Sequence, residues 1–315
     1  MKVIDHLLKS SEPLFSCEIV PPTRGKSAQE IIETVETLEP AKLSWIDVTS
    51  HSSMASYHEK DDGSVQRKIV KKRPGTLGIC GIIQNRFKID TVAHILCKGF
   101  TKEETEDALI ELHYLGIHNV LALRGDGPNY NKEISKSRTI NHFATDLVRQ
   151  AVELRQGSYL EEISDCDALD FCVGVAGYPE KHFESANLKM DLQYLKQKVD
   201  AGADYIVTQM FFENERYFDF VKACREIGIN CPIIPGLKMI KSAGQIATLP
   251  KTFHVDIPTA LVEEISVTPN HAAEIGQNWA FKQSLQLMQR GAPAIHFYVM
   301  NDAPQIAEIF RKLRS

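Results

Sequence analysis

The chain has 315 residues, with 41 acidic against 36 basic side chains and a formal net charge of −5. Apolar residues make up 43% and charged ones 24%, an ordinary globular balance with ample material for a core. The mild acidity gives no electrostatic footprint for nucleic acid, no run approaches the ~20 apolar residues of a membrane helix, and Asp5 and His6 stand where a signal peptide needs an apolar stretch.

In chain order, short apolar or β-branched runs alternate with helical patterns. Strands are expected at residues 14–20, 43–50, 93–97, 119–123, 171–176, 205–211, 232–237 and 294–300. A helix is expected at 27–38, where Ser27 followed by Glu30 has the spacing of a capping box, and Thr101 with Glu104 repeats that spacing at 101–115. Leu188, Leu192, Leu195 and Val199 form an apolar stripe at helical spacing. The segment 64–90, with GTLGICGIIQN inside it, exceeds a simple connection and reads as a ninth strand or an excursion packed on the rest.

At roughly 150 residues per domain the length allows about two domains, but a (β/α)₈ TIM barrel of about 250 residues takes up most of it. Eight apolar strands alternating with helices indicate a parallel α/β sheet, and eight is the number that closes such a barrel, here a single domain over 1–315. An open doubly wound sheet is the competitor. Against it, the first strand–helix junction reads VPPTRGK and lacks G-x-G-x-x-G, and no Walker A loop occurs. Any cofactor must then be held without a Rossmann fingerprint. The seven cysteines (Cys17, Cys80, Cys97, Cys166, Cys172, Cys224 and Cys231) contain no C-x-x-C pair, so no metal or iron–sulfur site is expected, and a reducing cytoplasm fits them best.

Barrel enzymes assemble their sites from strand C-termini and the loops that follow. Strand one ends FSCEIVPP, which sets Glu18 among Phe15, Ile19 and Val20; a desolvated carboxyl there has a raised pKa and suits a general acid, while its plainer reading is a paired or solvated glutamate. Strand four ends LALRGD, placing Arg124, Gly125 and Asp126 at the mouth, as a site or as a surface turn. Strand five ends GVAGYPEKH, where Ala176 and Gly177 are small enough to admit a flat ring and Tyr178 and His182 could stack or hydrogen-bond. Asp191, Tyr194 and Lys198 share one face of the next helix, a solvated face on periodicity alone. Thr208 and Gln209 interrupt the apolar run YIVTQMFF, and a buried amide such as Gln209 needs partners at both ends. His94 and His296 read more simply as satisfied core histidines than as ligands.

The set FSCEIVPP, IDVTS, AHILC, LALRGD, GVAGYPEKH, KQKVDAGADYIVTQMFF, IIPGL and HFYVMN, in that order from Phe15 to Asn301, resembles the catalytic domain of the methylenetetrahydrofolate reductases. The resemblance implies a barrel with FAD at the strand C-termini, NADH or NADPH as electron donor, methylenetetrahydrofolate as substrate, and a homo-oligomer. It implies Glu18 as the acid that opens the imidazolidine ring. Asp126 falls on the position at the flavin pyrimidine edge that also holds the pterin, Gln209 on the pterin-binding position, and Gln245 on a substrate-side position. On FAD-contact positions fall Thr49, His94, Leu123, Arg124 and Gly125; so do Phe143 (for a frequent Tyr), Ala144, Ala176, Tyr178, His182, Asp191 and Lys198. Tyr194, Gln197 and Asp302 depart from the family's usual Asn, Arg and Arg. The length suits the short bacterial form, a catalytic barrel without the regulatory domain. A second class, a pterin-binding barrel methyltransferase, would need no flavin, and a third is a non-catalytic scaffold barrel.

Overall fold

The computed structural model describes residues 1–71, 73–125, 134, 137–300 and 302–314. Its strands are β1 (Leu14–Ile19), β2 (Trp45–Val48), β3 (Met54–Glu59), β4 (Val65–Val70), β5 (Asp90–Leu96), β6 (Asn119–Leu123), β7 (Cys172–Gly177), β8 (Tyr205–Thr208), β9 (Ile233–Ile234), β10 (Gly236–Leu237) and β11 (Ala294–Tyr298). Nine of them make one sheet in the order β10-β11-β1-β2-β5-β6-β7-β8-β9, every pair parallel. The two ends of that sheet, β9 and β10, are separated in the chain by Pro235 alone. The single strand expected at 232–237 is therefore split, because a proline has no N–H to donate to a ladder. Its carbonyl still accepts from the His296 N–H at 3.1 Å. With β9 on β8 and β10 on β11, the eight expected strands close as a (β/α)₈ barrel.

Alternation of side chains along each strand sorts the core into two layers. Phe15, Cys17, Ile46, Val48, Ala93, Val120, Val173, Ile206, Ile295 and Phe297 point outward and pack under the helices. Trp45, Val92, Leu121, Cys172, Tyr205, Ile234 and Ala294 point inward and fill the floor of the lumen. The N-terminal helix Val3–Lys9 plugs that floor: Val3 is fully buried, and its N–H donates to Asn119 Oδ1 at 2.8 Å. With both faces covered, the strands read as continuous apolar runs.

The segment 64–90 adds no ninth strand to the barrel sheet. Residues 65–70 form the second strand of an antiparallel hairpin, paired from Met54↔Val70 to Glu59↔Val65, outside the barrel. GTLGICGIIQN is not a strand but the start of the helix Thr76–Phe87, the crossover between β2 and β5, which buries Ile79, Cys80 and Ile83. A short apolar run cannot be assigned by periodicity alone, and here length and helical spacing decide it. The capping boxes divide as well. Thr101 and Glu104 exchange both bonds, at 3.1 and 2.8 Å, whereas Ser27 Oγ accepts only from the Gln29 N–H and that helix starts at Gln29. Between β10 and the helix Ala272–Gln289, two further helices, Gln245–Phe253 and Thr259–Val267, pack a third apolar cluster around Met210, Phe212, Ile240 and Leu261. No helix among the described residues is long and apolar enough to cross a membrane.

The seam at β10 is tight. The Gly236 N–H donates to Thr208 Oγ1 at 2.9 Å, and the Tyr298 hydroxyl donates to the Thr208 carbonyl at 2.6 Å. A Cβ on Gly236 would lie 2.2 Å from that carbonyl oxygen and 2.7 Å from the Tyr298 ring. Gly236→Ala is expected to lower the unfolding free energy by about 3 kcal/mol with an unchanged denaturant slope. A urea midpoint equal to that of the parent would contradict the closure described.

Candidate active site

At the C-terminal mouth of the barrel a cavity of about 1350 Å³, counted with its opening, reaches down to the strand ends. Glu18, Thr49, His94, Leu123, Arg124, Gly125, Ala176, Tyr178, His182, Gln209 and Tyr298 are among the residues that line it. All but His182, which lies in the loop after β7, come from or closely follow a strand whose inward positions are set by the alternation above.

Below the mouth the inward positions turn polar. Ser16 and Glu18 of β1, Asp47 of β2, His94 of β5 and His296 of β11 sit side by side on strands that are neighbours in the sheet. Glu18 is the Cα partner of both Asp47 and Tyr298, and Ser16 that of His296. His94 Nε2 lies 3.3 Å from Asp47 Oδ2 and 3.7 Å from Glu18 Oε2. The Glu18 side chain keeps 16% of its exposure; those of His94 and Asp47 keep 4% and 1%. The surroundings of Glu18 are thus not purely apolar: an imidazole stands against the carboxyl. His296 Nδ1 pairs with Ser16 Oγ at 2.9 Å and lies 3.8 Å from Asp47 Oδ1, which has no hydrogen-bond partner.

The two histidines are driven apart. Burial opposes charge on both. On His94 the bond to Asp47 and the negative charges of Glu18 and Asp47 outweigh burial and raise its pKa above the ordinary value. On His296 burial wins over the attraction of Asp47, His94 adds repulsion, and the pKa falls to about 4, so this ring is neutral at pH 7. Among the described residues no three His, Cys, Asp or Glu side chains are arranged to hold a metal ion, and the layer is a hydrogen-bonded network. The thiols play no part: burial pushes Cys97, Cys172 and Cys224 up to about 12.

A second buried charge cluster stands beside the mouth. Lys238, just past β10, donates to Asp302 Oδ2 at 2.6 Å and to the Tyr298 carbonyl at 3.0 Å, and Lys241 reaches the other Asp302 oxygen at 2.7 Å. Asp302 is 1% exposed and faces these lysines at the start of the helix Ala303–Leu313. Burial lowers the Lys238 pKa against the pull of Asp302.

The structure brings together in one cavity Glu18, Thr49, His94, Leu123, Arg124, Gly125, Ala176, Tyr178, His182 and Gln209. Arg124 is ion-paired to Glu184, and Tyr178 meets the His182 ring edge to face at 4.6 Å. Asp191 and Lys198 lie behind the end of β7: Asp191 accepts from the His182 N–H at 3.0 Å and the Ser185 hydroxyl at 2.8 Å, and Lys198 donates to the Ala176 carbonyl at 2.5 Å. Burial lowers the Lys198 pKa to about 8, although Asp191 pulls it back up. Phe143 is exposed at the N-cap of the helix that begins at Ala144, away from the cavity lining. Gln245 also stands outside the lining, its Oε1 accepting from the Lys241 N–H at 2.7 Å. Asp126 lies outside the described residues. Sequence reasoning gave no role to Asp47, Tyr298 or Lys238. Asp47 shares the face of Trp45 in WIDV, but which face turns inward is set only by the neighbouring strands.

The sequence profile described as "Methylenetetrahydrofolate reductase" matches residues 3–314. The chain is 31% identical to the "Probable methylenetetrahydrofolate reductase (NADPH)" of Caenorhabditis elegans, over 98% of this chain and 43% of that protein. It is 31% identical to the "Methylenetetrahydrofolate reductase (NADH) 1" of Arabidopsis thaliana, over 96% and 49%. It is 28% identical to the "5,10-methylenetetrahydrofolate reductase" of Salmonella typhimurium, over 91% and 86%. The chain thus spans about half the length of the first two relatives. Among solved structures, an uncharacterized protein from Clostridium thermocellum that binds two copies of 5-methyl-5,6,7,8-tetrahydrofolic acid shares the fold, with a TM-score of 0.57 at 13% identity over 98% of this chain and 96% of that one.

Two measurements probe these clusters. Asp302→Ala strands the Lys238 ammonium, and a loss of about 3–5 kcal/mol of stability is expected from a buried charge without its partner; a loss below 1 kcal/mol would show that the pair is not buried as described. The pKa of His296 lies below its ordinary 6.5, so its linkage term favours the fold fully above pH 6.5 and is lost as the pH falls toward 4. The total amounts to about 3 kcal/mol. His296→Asn should flatten the stability–pH curve across that window; an unchanged curve would remove this ring as the cause.

Proposed function

The chain belongs to the methylenetetrahydrofolate reductase family, and on that premise we propose that it reduces methylenetetrahydrofolate to methyltetrahydrofolate with NADH or NADPH as donor, through FAD held at the barrel mouth. The observation that supports this most is a carboxylic acid, Glu18, set beside an imidazole at the base of a cavity that also carries the Gln209 amide.

The residues present suit a flavin dinucleotide. Leu123, Gly125 and Ala176 are apolar or small and leave room for a flat ring system, and Thr49 Oγ1 is a buried hydroxyl without a hydrogen-bond partner at the cavity wall. Arg124 and His182 offer polar contacts at the lining, Lys198 is a buried cation behind it suited to a diphosphate, and Phe143 and Ala144, outside the lining, belong to this reading on their sequence position. Asp191 holds the His182 backbone in place. Asp126 belongs to this reading on its sequence position. When bound, FAD supplies a two-electron carrier that takes hydride from the nicotinamide and delivers it to the folate.

The protein's own part is acid chemistry and orientation. Glu18 donates a proton to the folate nitrogen whose release opens the five-membered ring, making the one-carbon unit an acceptor for hydride. Gln209 has its Oε1 engaged by the Met210 N–H at 2.9 Å, which leaves the NH₂ as the end of the amide that meets the pterin. One cavity serves both substrates, so nicotinamide and folate occupy it in turn, a ping-pong scheme. A homo-oligomer in the cytoplasm belongs to the same reading.

Purified protein is expected to be yellow and to be bleached by NADH or NADPH without oxygen; colourless protein that takes up no FAD would overturn the proposal. Glu18→Gln should still be bleached, yet reoxidise with methylenetetrahydrofolate at least about 10²-fold more slowly than the parent. Equal losses in both half-reactions would remove Glu18 from the folate side.

A further inference from the structure

Beneath Glu18 the barrel holds a proton store that the reading above does not use. Two carboxylates and two imidazoles share the buried layer, and their bonding assigns the charges. His296 Nδ1 faces the Ser16 hydroxyl at 2.9 Å and stays 3.8 Å from Asp47 Oδ1, so it gives Asp47 no close cation. Asp47 Oδ1 is buried with no hydrogen-bond partner, and a carboxylate so poorly solvated needs positive charge next to it. His94 is the group that answers, at 3.3 Å. The same Nε2 lies 3.7 Å from Glu18, a long contact of the kind that tightens once substrate is bound. Below the layer, Trp45, Val92, Leu121 and Tyr205 close the lumen, and above it His94 lines the cavity at the mouth.

We propose that His94, clamped by Asp47, is the internal proton donor that recharges Glu18 in each turnover, and that Asp47 is the positioning residue that keeps the proton on His94. This rests on the reductase reading with Glu18 as acid. As Glu18 gives its proton to the folate nitrogen, the His94 Nε2–H bond breaks and an O–H bond forms again on Glu18, so the folate half-reaction itself draws on the His94 proton. His94 is left neutral and recovers a proton from water when product leaves the mouth. One solvent proton is consumed per turnover, as reduction of the one-carbon unit by hydride requires. The groups that face this exchange are Glu18 on β1, Asp47 on β2, His296 and Tyr298 on β11, and Lys238 past β10, whose ammonium is tied to Asp302 and the Tyr298 carbonyl. Tyr298 is kept protonated, as burial and the nearby Glu18 and Asp47 raise its pKa well above the ordinary value.

The test follows the His94 ring and the chemistry separately. In whole protein labelled with ¹⁵N-histidine, the His94 resonance, assigned by its loss in His94→Gln, should titrate above the ordinary pH 6.5 of a histidine. Reoxidation of the reduced enzyme by methylenetetrahydrofolate should fall along the same midpoint, while bleaching by the nicotinamide does not. In Asp47→Asn both midpoints should move down by about one pH unit or more, slowing reoxidation at pH 7.5 by about tenfold, with bleaching within about twofold of the parent. Asp47→Glu should restore much of the loss. Parent midpoints for ring and rate that do not coincide overturn the relay, and this comparison needs no variant. Equal losses in both half-reactions of Asp47→Asn would show a merely structural residue. A parent that shows no folate reduction at all fails the reductase reading instead, and the ring titration then still reports the Asp47–His94 pair.

Discussion

A closed eight-strand barrel sends every second side chain into a lumen that bulk water does not enter. Everything placed there must pack against, or bond to, something else in the same layer. This protein meets the constraint in three tiers. Aromatic and aliphatic side chains fill the floor and the N-terminal helix seals it; a polar layer of Ser16, Asp47, His94 and His296 follows; and Glu18 stands where the lumen opens to the mouth. A carboxyl at that height is exposed on one side only, which suits an acid that meets a ligand.

The polar tier survives burial because its charges are distributed unequally. One histidine is pushed toward the cation by two carboxylates, and the other is kept neutral by desolvation. The separate Lys238–Asp302–Lys241 cluster follows the same rule at the strand end next door, where both oxygens of a buried aspartate are engaged by lysines. Asp302 is thereby committed to the protein's own cations. The Lys238–Asp302 pair stands just past the closing seam, whereas Asp47 and His94 meet across β2 and β5 on the far side of β1.

Much of this was legible locally. The barrel strands are covered on both faces, so each is an apolar run, and their number and order suggested a closed barrel. The hairpin of β3 and β4 escaped that logic because its strands are polar and largely exposed; its local signal was Asp62–Gly63 between two β-prone runs. The helix Thr76–Phe87 escaped it because GTLGICGIIQN is short and apolar whichever way it folds. Glu18 was legible as a carboxyl at a strand end. Asp47 was not, since one acid inside WIDV says nothing until the alternation is anchored by neighbouring strands.

By itself the sequence determined the number and order of the barrel strands and the carboxyl at the mouth, because hydrophobic period and strand-end chemistry are properties of a few consecutive residues. Only the tertiary structure decided what surrounds that carboxyl. His94 and Asp47 reach Glu18, and Asp302 turns to Lys238 and Lys241, through strand register and ring closure. These depend on residues far apart in the chain, and no local pattern encodes them.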